Sequence, residues 1–218
     1  MGRTDASFIG AAGAAIKIAA LAAFMSGCAT VGADIQAGRR DLLYGDPERA
    51  LVYFERAAAK DPDYRYYSAL PEGVLTYVGR AYYAAGRLPE ARRVLEKAVS
   101  RYQDDNLAKL YLGLTLARQG DRPAGLKYLE DGLLGLHDWL DYVEQRFAFS
   151  FGKYWDPDKQ IRREIENDLA MISSGKVDWP KLLASAEWVG KQMEEEIDRA
   201  RRDEIDERRR EGDGRRRL

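Results

Sequence analysis

Cysteine and histidine are almost missing from this sequence: its 218 residues hold one of each, Cys28 and His137. A lone cysteine cannot close a disulfide within the chain, and one histidine cannot supply a multi-histidine metal site or a Cys–His couple within the folded body. A surplus of one charge is missing too, with 35 Lys and Arg against 36 Asp and Glu and a formal net charge of −1. Phosphate backbones are held by a basic surplus, so nucleic acid is set aside as the main partner. Catalytic signatures are also lacking: there is no Gly-rich phosphate loop, H-E-x-x-H, G-x-S-x-G or calcium loop. His137 stands before Asp138 and reads as a surface or capping residue, and the acidic residues are accounted for by helix caps and surface pairs. The expectation is a non-enzyme that holds no cofactor and no metal.

What is present suits one soluble domain with a solvated extension: 45% of residues are hydrophobic and 33% charged, enough for a core. The first 27 residues differ from the rest. Arg3 and Lys17 precede a short apolar run, "IAALAAFM", and small residues lead to Cys28. That is the order of an export signal, and the run is too short to span a bilayer. Myristoylation is excluded by Ala6, where Ser or Thr is required. The stretch resembles the lipobox of bacterial lipoproteins, with Met25 in the place usually held by Leu. The resemblance implies cleavage after Met25-Ser26-Gly27 and a lipid, palmitate included, on Cys28. Ala29 at the next position implies the outer membrane, with the chain facing the periplasm. An ordinary secretory signal and a retained anchor are the other readings of this segment.

Residues 31–135 repeat a pattern three times. Gly38, Gly79 and Gly113 align, as do the turn glycines Gly45, Gly86 and Gly120. Twelve residues beyond each first glycine stand Ala50, Ala91 and Gly125, followed by Phe54, Leu95 and Leu129, then Ala57, Ala98 and Gly132. The second spacing is 34 residues and the first is 41, so "DYRYYSALPEG" is an insertion. Small residues let antiparallel helices cross closely, while the bulky residue between them fills the layer. Asp46-Pro47 and Asp121-Arg122-Pro123 start second helices, with Asp as N-cap and Pro in the first turn. The pattern resembles the tetratricopeptide repeat, and implies an all-α fold, a short solenoid of about three helix pairs. Repeat three, with Gly where Ala is usual, is expected to be looser.

Residues 136–176 read as a helical cap over the open end of the solenoid. Trp139, Val143 and Phe147 share one face, and Ile161, Ile165, Leu169 and Ile172 another. The aromatic loop "FSFGKYWDPDK" between them contains Asp156-Pro157, read first as a further cap and second as a contact patch. Residues 177–218 predict a last helix capped by Asp178, with Leu182, Ala186, Val189, Met193, Ile197 and Ala200 as a stripe. Past Ala200 it should project as a solvated charged helix. The expected pairs are Glu195–Arg199, Asp198–Arg202, Glu204–Arg208 and Asp206–Arg210, with an end at Gly212 and Gly214.

In the family that the repeats resemble, the first helix of each pair lines a concave groove that holds peptides or partner helices. Carried over, this implies Ile35, Arg39 and Leu42 from repeat one, and Thr76, Arg80 and Tyr83 from repeat two. Repeat three supplies Leu107, Leu110, Leu114 and Arg118. A mildly basic groove with an apolar floor would suit an acidic or carboxyl-terminated segment. Arginines that are simply solvated are an equal reading. The expected function is a lipid-anchored adaptor in a bacterial envelope assembly, with a periplasmic ligand-binding accessory of a transporter as the alternative.

Overall fold

Residues 30–67 and 70–215 are described by a computed structural model; Cys28 and the signal-like segment lie outside them. Three helix pairs follow one another along the chain. They are α1 (Val31–Leu43) with α2 (Pro47–Lys60), α3 (Val74–Ala84) with α4 (Leu88–Arg101), and α5 (Asn106–Arg118) with α6 (Arg122–Arg146). Beyond them come a 3-10 turn (Phe151–Tyr154), α7 (Gln160–Ser173) and α8 (Trp179–Arg215). The fold is all-α, apart from one two-stranded sheet among the described residues.

Each pair turns at its glycine. Gly45, Gly86 and Gly120 have φ of +83°, +74° and +93°, a region that costs a side chain energy and glycine nothing. The amide one residue later reaches back five residues: Asp46 to Asp41, Arg87 to Tyr82 and Asp121 to Leu116. This is the Schellman closure, which satisfies carbonyls left open at a helix end. Asp46 and Asp121 then cap the following helices by accepting from the amides of Arg49 and Ala124.

The crossings are not equivalent. A Cβ on Gly38 or Gly79 would meet the side chains of Phe54 or Leu95. One on Gly113, Gly125 or Gly132 would meet backbone, at 2.6 Å from the Leu129 nitrogen in the first case. Repeat three is therefore the closest backbone approach, not a looser one: glycine facing glycine removes both spacers. Helix α6 also runs unbroken through residues 135 and 136, so the second helix of repeat three continues into the segment read as the cap. His137 lies inside that helix, near Asp141 and Glu166, rather than at a helix start.

The insertion after repeat one forms a hairpin, β1 (Arg65–Tyr67) against β2 (Pro71–Gly73), with Tyr66 opposite Glu72. Asp105 ties it down. One oxygen caps α5 by accepting from Ala108 (2.9 Å), and the other accepts from Gly73 N–H (2.9 Å) and Thr76 Oγ1 (2.6 Å). In the aromatic loop, Trp155 is buried with its ring 4.6 Å from that of Trp139, while Phe149 is fully exposed. Asp156 has φ +44° and accepts from the Ile161 and Arg162 amides, so it caps α7 from a left-handed turn.

All six stripe residues of α8 are buried. The helix does not stop at Gly212 or Gly214 but continues to Arg215, since an isolated glycine costs a helix only about 1 kcal/mol.

Candidate functional site

The first helices of the three pairs do present Arg39, Arg80 and Arg118 on one side of the molecule. What the sequence did not reveal is that α8 already lies there. Its backbone packs against α5, α7 and the 3-10 turn, while it meets α1 and α3 through long polar side chains. Successive residues on a helix turn by about 100°, so Glu187, Glu194 and Asp198 share a face well separated from the apolar stripe. The stripe goes into the core and the acidic face goes into the groove.

Glu194 is the centre of the arrangement. One carboxylate oxygen accepts from Arg39 Nε and the other from Arg80 Nη1 at 2.6 Å. The same Arg80 nitrogen reaches Glu72 of the hairpin at 2.6 Å, and Tyr77 Oη donates to Glu72 at 3.1 Å. Arg80 lies over the rings of Tyr77 and Tyr111, 5.5 and 5.1 Å from their centroids. All four side chains are at most 5% exposed, so two guanidinium groups and two carboxyl groups are held together away from water. Breaking such a set is costly because the remaining charge stays buried.

Burial pushes the Glu72 carboxyl up to about 8, against the pull of Arg80. Burial acts on Glu194 in the same direction, but Arg80 and Arg39 together hold it below the ordinary carboxylate range. Arg39 and Arg80 stay charged, since the carboxylates outweigh the desolvation that opposes them. The two arginines are thus neither solvated nor open to a partner.

Seven residues earlier on α8, Tyr83 Oη of repeat two and Arg118 of repeat three both donate to Glu187, and Arg118 is 40% exposed. Burial and Glu187 both raise the Tyr83 phenol, which stays protonated. The remaining residues expected in the groove sit deeper. Leu107, Leu110, Leu114 and Ile35 are core residues, and Thr76 is buried on Asp105. Leu110 and Leu114 therefore form no open floor; a helix whose every face is covered cannot display an apolar stripe. Between α8 and the first helices a cleft of about 300 Å³ remains, lined by Leu42, Leu43, Tyr83, Ala84, Tyr111, Arg118 and Lys191 among others.

Sequence reasoning missed Glu194, Glu72 and Asp105. It placed Asp198 with Arg202 and Glu195 with Arg199, whereas Asp198 turns to Arg39 at 3.4 Å and Arg199 pairs with Glu196. The expected partners Arg208 and Arg210 have side chains outside the described residues. The available signal was the heptad offset of Glu187 and Glu194 beside an unbroken apolar stripe, a helix with two destinations. Among the described residues, no group of three or more His, Cys, Asp or Glu is placed to hold a metal ion, and no helix is long and apolar enough to cross a membrane.

No curated protein and no solved structure matches the chain. Residues 42–114, from the end of α1 to the middle of α5, match the family model of the tetratricopeptide repeat, whose members generally mediate protein–protein interaction.

Proposed function

We propose that the protein is a lipid-anchored adaptor of the bacterial cell envelope, held on the outer membrane through Cys28 and facing the periplasm, where its repeats engage a protein partner. The observation that carries the interaction part is the match of residues 42–114 to the tetratricopeptide repeat, whose members generally mediate protein–protein interaction. The groove of the first helices is occupied by α8, which leaves the rim around Tyr44 and Arg118 exposed. The anchor rests on the lipobox-like stretch ending in Cys28. A tether raises local concentration to the millimolar range, so a modest intrinsic affinity suffices for an assembly role.

Labelling cells with radioactive palmitate tests the anchor. Label on the wild-type chain that is absent from Cys28→Ser, together with loss of that variant from the outer-membrane fraction, is the expected result. An unlabelled wild type, or a variant that still sediments with membranes, overturns it. For the partner, a photo-crosslinker at exposed Tyr44 beside the groove should trap one envelope protein reproducibly.

The transporter-accessory reading draws on the cleft of about 300 Å³ beside Tyr83 and Tyr111. Native mass spectrometry of the purified chain decides it, by the presence or absence of a co-purified small ligand.

A further inference from the structure

Along α8 the partners change in order. Gly190 lies against Tyr111 of α5, Glu194 meets Arg80 of α3, and Glu194 and Asp198 meet Arg39 of α1. No repeat helix precedes α1 among the described residues, so α8 has run out of groove soon after Asp198. There its chemistry changes sign. At about 100° per residue, the side that carries Glu187, Glu194 and Asp198 continues as Arg201, Arg202, Ile205 and Arg209. All four are exposed.

These arginines differ from those of the buried cluster in lacking carboxylates. Arg40 lines two clefts between α1 and α8, of about 510 and about 360 Å³, with Arg202 across one and Arg201 across the other. The acidic residues beside them are engaged elsewhere: Glu196 by Arg199, Asp198 by Arg39 and Glu195 by Lys191. Among the described residues, Arg40, Arg201 and Arg202 have no acidic partner, and Arg209 has only the exposed Asp206 at 3.7 Å. Asp203, Glu204 and Glu207 turn to the other side of the helix, where Lys153 of the 3-10 turn holds Glu207 at 2.7 Å. Charge is thus sorted onto two sides of one exposed helix.

We infer that the cationic side of α8 rests on an anionic phospholipid surface, a peripheral contact made by the folded chain itself. A bilayer presents phosphates in a plane at every register, so a row of guanidinium groups meets it without a shaped pocket. From Arg201 to Arg209 the helix rises about 12 Å, and the exposed Ile205 between them enters the headgroup boundary. Residues 208–218 add six arginines against Glu211 and Asp213. This goes beyond the adaptor reading and does not depend on acylation of Cys28.

The test uses the full Cys28→Ser chain, which lacks the lipidation site. It is co-sedimented with vesicles of phosphatidylglycerol and phosphatidylethanolamine, or of phosphatidylcholine alone. The chain should prefer the anionic vesicles, and the preference should fade as the Debye length falls to about 3 Å at 1 M salt. Adding Arg201→Gln/Arg202→Gln/Arg209→Gln should weaken anionic-vesicle binding about a hundredfold, at about fivefold per arginine. Arg93→Gln/Lys97→Gln/Lys127→Gln removes the same charge from exposed sites on α4 and α6 and should cost less than about threefold. Equal losses in the two triple variants, or no loss in the first, overturn the inference.

Ile205→Cys in the Cys28→Ser chain supplies a single thiol at the centre of the row. An environment-sensitive dye on it should shift to the blue on anionic vesicles only. A dye that reports water throughout overturns the inference. Vesicle binding without palmitate labelling in cells would remove the lipid anchor and leave this contact standing.

Discussion

The helix crossings inside the repeats and the face that α8 covers are held by opposite physics. On one, Gly38, Gly79 and Gly113 stand against Phe54, Leu95 and the Leu129 backbone. On the other, two arginines and two glutamates are buried together with hardly any water. Apolar crossings respond to volume: what matters is whether a neighbour can give way. The ionic cluster responds to balance: its parts are expensive singly and cheap together.

The largest effect should come from the tightest crossing. Gly113→Val places a branched side chain against the Leu129 backbone and should cost about 3–5 kcal/mol, or prevent folding. Gly79→Val meets the movable Leu95 side chain instead and should cost about 1–3 kcal/mol. Urea unfolding of both variants checks the order. Equal losses would show that the two crossings are alike after all.

On the concave side the contrast is between one substitution and two. Arg80→Met leaves Glu72 buried without its cation and should cost about 3–5 kcal/mol. Adding Glu72→Gln replaces the orphaned carboxyl, which burial forces to take up a proton, with an uncharged amide that keeps an acceptor for Tyr77, and the Arg39–Glu194 pair stays neutral. The double variant should recover about 1–3 kcal/mol of the loss, read as coupling in a double-mutant cycle. Additive losses would mean that the cluster does not act as a unit.

The same contrast explains what was legible in the sequence. Crossings, turn glycines and caps are local or periodic, so Gly79, Leu95 and Asp46 announce themselves by spacing. So did the α8 stripe, because 3.6-residue periodicity reveals which face of a helix is buried. It does not reveal what the other face meets. Glu194 stands in "MEEEID", where three adjacent glutamates look alike, and only one of them is aimed at Arg39 and Arg80. Glu72 was hidden for a second reason: it arrives on a hairpin in the one segment that departs from the repeat. Long-range ion pairs carry no period, and a reading built on periods passes over them.

A smaller buried polar site extends this view to the seam between α7 and α8. Asp168 is buried, and its Oδ2 lies 2.7 Å from Ser185 Oγ, which is also 2.8 Å from Glu164 Oε1. A hydroxyl has one proton, so two acceptors around it are satisfied only if a carboxyl supplies the second. Burial accordingly pushes the Asp168 carboxyl up to about 6, with Glu164 adding to the rise and Ser185 and Lys181 opposing it. The folded state then holds a proton that the unfolded chain, with an ordinary aspartate near 3.8, has already lost. Stability contributed by this group is present at the acid end and declines as pH rises through about 4 to about 6, by about 2 kcal/mol over that interval. Asp168→Asn carries its donor at every pH and should flatten that part of the profile, which denaturant unfolding at a series of pH values would resolve. A slope unchanged by the substitution would show that the buried Asp168 carboxyl does not hold this proton in the folded state.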